Sequence, residues 1–119
     1  MIKLLAVDDE ELIQVSLCKF FRNRGYETYG ASTGEEALDL IKKVRPHLVL
    51  LDVMLDPSGM DGFDVLEKIK QIDKTIKVII ITGRATDKAS IEKATQLGAN
   101  DFLTKPLDYE KLEKEAIPK

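Results

Sequence analysis

The chain has 119 residues, 44% of them hydrophobic and 33% charged, enough for one domain around a single core and too apolar for a disordered chain. Eighteen basic against 21 acidic residues give a net charge of −3, which excludes a general affinity for nucleic acid or membrane surfaces. The one cysteine excludes an internal disulfide, and no apolar run approaches the roughly 20 residues of a membrane span; with no signal-peptide pattern, the expected compartment is the cytoplasm.

The first element is "IKLLAV" (2–7), a short apolar run that reads as a strand covered on both faces. It leads straight into Asp8, Asp9, Glu10 and Glu11. Carboxylates at the end of a buried strand repel one another, and desolvation sharpens the repulsion, so their grouping calls for a reason. From Leu12 to Phe21 the apolar residues recur near helical spacing, with Cys18 read as a packed thiol, and Gly25 ends the helix. "YETYGA" (26–31) alternates as a strand near an edge does. Residues 33–44 form a second helix, with Thr33 as its cap and Ala37, Leu38 and Ile41 inward.

"LVLLDV" (48–53) is the most apolar strand and is therefore placed at the centre of the sheet. His47 before it reads as a surface residue. In the Gly-, Pro- and Asp-rich loop that follows, Asp56 and Asp61 read as turn formers rather than metal ligands. Residues 63–72 are a third helix, 76–81 a buried strand, and 87–97 a fourth helix closed by Gly98. A short strand at 101–104 precedes a last helix at 108–116, whose run "EKLEKE" is a solvated face and which Pro118 stops early. Five strands alternating with five helices through short connections predict an α/β fold: a five-stranded parallel sheet with helices on both faces, doubly wound and flavodoxin-like. One domain spans 1–119, as a module cut from a longer protein would.

In an open parallel sheet the ligand crevice lies beyond the C-terminal ends of the strands. Strand one delivers Asp8 and Asp9 there, strand three Asp52, strand four Thr82, and strand five Lys105 followed by Pro106. Each alone has an ordinary reading: a capping acid, a turn acid, a structural threonine, a loop lysine. Together they make one site. Three carboxylates suit a hard divalent cation such as Mg²⁺, which also relieves their repulsion. Asp52 is then the oxygen nucleophile toward phosphorus, and Lys105 and Thr82 are the donors that new phosphoryl oxygens require.

"VDDEE" after strand one, "LVLLDVM" around Asp52, "GMDGFDVL" at helix three, "IIITG" ending strand four and "GANDFLTKP" near the end occur in that order. As a set they make the whole chain resemble the receiver domain of two-component response regulators. The resemblance implies that Asp52 accepts a phosphoryl group from a phosphohistidine on a sensor histidine kinase or phosphotransfer protein. It implies Mg²⁺ bound by Asp9, Asp52 and the backbone carbonyl of Met54, with Asp8 acting mainly through water. It further implies that Lys105 pairs with the phosphoryl group across a cis bond to Pro106, and that Thr82 and Phe102 form a switch pair. Dimerisation through the face of helix four, strand five and helix five is common in such domains, and direct binding of nucleic acid or membrane by the domain is not expected. The chain departs from the family pattern in two loops: about two more residues between Asp52 and "GMDG", and one more after Thr82. Met54 and Arg84 stand where family members tune the lifetime of the phosphate.

Competing classes fit less well. A haloacid-dehalogenase-type phosphatase needs a second Asp two residues after the nucleophile, where this chain has Met54, as well as a cap domain. A flavin or nucleotide binder needs a first loop of free N–H groups, whereas "DDEE" repels phosphate unless a metal intervenes, and no G-x-x-x-x-G-K-[ST] occurs. A pseudo-receiver, an interaction module on the same fold, would not require the full set of Asp8, Asp9, Asp52, Thr82 and Lys105.

Overall fold

The computed structural model describes residues 1–53, 60–82 and 88–116, without the side chains of 115 and 116. The strands are β1 (Lys3–Val7), β2 (Glu27–Ala31), β3 (Leu48–Asp52), β4 (Lys77–Thr82) and β5 (Asp101–Thr104). The helices are α1 (Glu11–Asn23), α2 (Gly34–Val44), α3 (Gly62–Ile72), α4 (Lys88–Gln96) and α5 (Tyr109–Ala116). All pairings are parallel, in the order β2-β1-β3-β4-β5, with Val7 opposite both Ala31 and Leu51, and Asp52 opposite Ile81. β3 is the middle strand, buried throughout, and β2 is an edge strand, as their apolarity and alternation predict.

Alternate strand residues feed two core layers. Leu5, Val7, Val49, Leu51, Val78 and Ile80 meet Ala37 and Ile41 of α2, Val65, Leu66 and Ile69 of α3, and Ala94 of α4. Leu4, Ala6, Leu48, Leu50, Ile79 and Ile81 meet Leu17, Cys18 and Phe21 of α1 and Leu112 of α5. Three helices therefore cover one face and two the other, so the chain winds away from β1 in both directions and switches between β1 and β3. The crevice of a doubly wound sheet opens at that switch.

Local chemistry sets the element ends. Thr33 caps α2 by accepting from the Glu36 N–H at 3.1 Å, and Asp61 caps α3 by accepting from the Asp64 N–H at 2.9 Å. Gly25 and Gly98 take positive φ, 92° and 101°, after α1 and α4. At the end of the sheet away from the crevice, Asn100 ties β5 to β4: its N–H donates to Val78 O (2.8 Å) and its Oδ1 accepts from Val78 N–H (2.9 Å). Lys70 of α3 donates to the same Oδ1 (3.1 Å) and to Ile76 O (2.6 Å).

The apolar spacing of α1 does not all turn inward: Leu12 and Val15 are 84% and 54% exposed. Seven apolar residues within 12–21 wrap too far round a helix for all of them to face the sheet.

Candidate functional site

Asp8 follows β1 directly and Asp52 is the last residue of β3, so the pairing of the two central strands sets them side by side at the switch point. Asp8 is 2% exposed and Asp52 3%, while Asp9 is exposed at the rim. One carboxylate oxygen from each of the three lies within 4.8 Å of the others, close enough for all three to bind one ion. That oxygen-only set fits a hard divalent cation such as Mg²⁺ and suits a softer metal less well.

Lys105, just beyond β5, reaches into the same pocket. Its ammonium donates to Asp8 Oδ2 at 3.0 Å and to Asp52 Oδ2 at 3.1 Å, and lies 3.9 Å from Glu10 Oε1. Burial, the largest single cause, would lower its pKa, but the hydrogen bonds to the two aspartates together with their negative charges raise it. Asp8 is raised as well. Burial is the largest cause and repulsion from Asp52 adds to it, against the lowering effect of the Glu10 N–H and Lys105. The second oxygen of Asp8 accepts from that Glu10 N–H at 2.9 Å. Lys105 thus bridges two buried acids that would otherwise repel each other. The Lys105–Pro106 peptide is cis.

Thr82 ends β4 one position beyond the residue opposite Asp52, and is 3% exposed; its carbonyl accepts from the Lys105 N–H at 2.7 Å. Phe102 lies opposite Ile80 and packs, partly buried, against the core layer of α2, α3 and α4. With Ile91, Leu103, Pro106 and Leu107 it also borders a cavity of about 360 Å³ between α4, β5 and α5. Among the predicted residues, then, Asp8, Asp9, Asp52 and Lys105 converge, Thr82 borders them, and Phe102 stands apart along β5 at the cavity. Met54, Asp56 and Arg84 lie outside the described residues. Asp61 caps α3, and His47 is exposed with Nδ1 accepting from the Lys3 N–H at 3.0 Å.

The model of the response regulator receiver domain matches residues 4–117. The chain belongs to the response regulator receiver family. Sporulation initiation phosphotransferase F of Bacillus subtilis is 39% identical over 117 residues, covering 98% of this receiver domain and 91% of that protein. Transcriptional regulatory protein AfsQ1 of Streptomyces coelicolor is 34% identical over 107 residues, covering 90% of this chain but 46% of its own length, so the receiver domain spans under half of that relative. A CheY-like response regulator receiver domain protein from Methanospirillum hungatei JF-1 superposes with a TM-score of 0.89 at 30% identity, covering 97% of this chain and 90% of that one. No helix among the described residues is long and apolar enough to cross a membrane.

One polar residue at the site escapes sequence reasoning. Gln14 of α1 donates from its side-chain amide to Asp8 O, Ala31 O and Ser32 Oγ, at 3.1, 2.9 and 3.2 Å. A glutamine on a helix carries no motif. The signal that could have found it is Gly30, because a glycine inside a strand marks a place where something approaches the backbone closely.

Proposed function

We propose that this receiver domain takes a phosphoryl group from the phosphohistidine of a sensor histidine kinase or phosphotransfer protein onto Asp52, and relays the event through the surface of α4, β5 and α5. The observation that carries this reading is the lysine ammonium bridging Asp8 and Asp52 within a three-carboxylate cluster. A carboxylate oxygen of Asp52 attacks phosphorus. The P–N bond of the donor breaks, its electron pair returns to the imidazole, and an aspartyl phosphate forms. Asp9 and Asp52 would hold Mg²⁺, with Asp8 acting through water and the Met54 carbonyl in the same reading, and the bound ion would supply positive charge to the phosphoryl oxygens. Lys105 turns from the Asp52 carboxylate to the new phosphoryl oxygens, and Thr82 donates its hydroxyl to another. Phe102 follows Thr82 and reshapes the face of α4, β5 and α5, where an output partner or a second copy of the chain binds. The domain assists its own phosphorylation and dephosphorylation but turns over no other substrate, and it acts in the cytoplasm beside its kinase.

Acetyl phosphate with Mg²⁺ tests the chemistry without the kinase. Intact mass should show one added phosphoryl group, labile to hydroxylamine as an acyl phosphate is. Asp52→Asn keeps the side-chain volume and removes the nucleophile, so the adduct should vanish while the fold remains. Equal labelling of that variant would move the acceptor to another residue.

A further inference from the structure

We infer that Gln14 is a positioning residue that holds the Asp8 backbone, and so sets the geometry of the acidic pocket; the inference rests on the metal-dependent reading of the site proposed above. Three chain segments meet at this corner: the end of β1, the end of β2 with Ser32 beyond it, and the second turn of α1. The Gln14 amide carries two N–H groups and has an acceptor on each strand end, Asp8 O at 3.1 Å and Ala31 O at 2.9 Å, with Ser32 Oγ at 3.2 Å beside them. Ala31 O also accepts from the Asp8 N–H at 3.1 Å. Gln14 therefore extends the β1–β2 ladder past its last strand pair, Val7 with Ala31, and locks the peptide that carries Asp8.

The neighbouring strand leaves room for this amide. A Cβ at Gly30 would lie 2.3 Å from Gln14 Oε1 and 2.8 Å from its Cδ, so the side chain lies flat against β2 only because residue 30 has none. Fixing that peptide matters because both carboxylate oxygens of Asp8 already have partners, Glu10 N–H on one and Lys105 on the other. With its ends tied, the direction of the carboxylate follows from where its backbone sits. Gln14 touches no reacting atom and acts through Asp8.

The test compares wild type, Gln14→Leu, Gly30→Ala and the double variant by Mg²⁺ titration, read as backbone amide shifts around Asp8, Asp9 and Asp52, with melting curves of the metal-free proteins alongside. Gln14→Leu keeps similar bulk without donors; Gly30→Ala displaces the amide while leaving α1 unaltered. Each single variant should raise the Mg²⁺ dissociation constant by roughly tenfold, the scale of losing an outer partner that orients the groups around a metal. The double variant should match the singles, because both remove one interaction. The melting curves check that every variant stays folded at the titration temperature, so that a changed constant reports the pocket and not unfolding. Mg²⁺ constants within twofold of wild type in Gln14→Leu, or in Gly30→Ala alone, would overturn the inference. A wild type indifferent to Mg²⁺ would overturn the metal reading itself, and the inference with it.

Discussion

Lys105 is the residue on which the electrostatics of the site turn. Its removal as Lys105→Met leaves Asp8 and Asp52 buried, adjacent and without their ammonium. Breaking a buried charge pair by deleting one partner costs about 3 kcal/mol, and urea unfolding of the metal-free protein at neutral pH should show a loss of that order. Burial raises the Asp8 carboxyl above its ordinary 3.8, so the native state holds that proton more tightly than the unfolded chain does. Stability from this group is full below its ordinary value and is lost as pH rises through the higher native one. Lys105→Met raises Asp8 further, so its deficit should be largest at neutral pH and shrink on acidification. A deficit independent of pH would mean that Lys105 stabilises through packing instead. At this scale the sequence was informative where a residue ended a strand. Asp8, Asp9, Asp52 and Lys105 could be placed because strand ends converge, whereas Gln14 could not, since its role depends on β1, β2 and α1 meeting at one corner.

Among the elements, α3 shows how closely its neighbours constrain the site. Gly62 opens the helix against the segment after Asp52: a Cβ there would lie 2.3 Å from Val53 Cα and 2.8 Å from Asp52 O, both backbone atoms that cannot swing aside. Gly62→Ala should therefore cost about 1–3 kcal/mol by overpacking, and should slow acetyl phosphate labelling of Asp52 more than Asp61→Ala does. Asp61→Ala removes only a cap, worth about 1 kcal/mol, and leaves that approach alone. Equal labelling rates in the two variants would detach Gly62 from the acceptor. The β4–β5 pair carries a second expectation. Lys70 and Asn100 pin the far ends of these strands, so a response to phosphorylation should concentrate near Thr82, Phe102 and α4. Converting a population from 1:99 to 99:1 requires about 5.5 kcal/mol of differential affinity, more than one hydroxyl supplies. Thr82→Ala should thus still label at Asp52 yet give smaller amide shifts around Phe102 and α4 with a beryllofluoride mimic; full-sized shifts would remove Thr82 from the switch. Caps and helix ends were legible in the sequence because Thr33, Gly25 and Gly98 act locally. The outward turn of Leu12 and Val15 was not, because apolar periodicity does not say which residues of an over-wide apolar arc the sheet will cover.

For the molecule as a whole, binding at the acidic cluster adds to the stability of the fold. At tenfold excess over its dissociation constant a ligand of the native state contributes about 1.4 kcal/mol, which for a domain of this size moves the melting temperature by about 5 °C. Mg²⁺ should produce such a rise, Asp9→Asn should reduce it, and a melting curve unchanged by millimolar Mg²⁺ would count against a metal at the cluster. The architecture was legible at this scale, since alternating periods imply a parallel sheet, apolarity placed β3 at the centre, and alternation placed β2 near an edge. Register was not, because Leu4 opposite Leu48 is a pairing between segments that local patterns do not relate.

The position of Lys105 in the chain has a consequence for the order in which the protein can come together. Asp8 and Asp52 become neighbours as soon as β1 pairs with β3, but the lysine that separates their charges lies 53 residues after Asp52 and arrives with β5. A partly formed sheet of β1, β2 and β3 thus sets two acids side by side with no cation between them, and their repulsion disfavours its accumulation. Completion of the fifth strand supplies the missing charge and removes the penalty in one step. The acidic pocket therefore adds to the all-or-none character of folding, with half-built forms held scarce by charges that only the complete sheet balances.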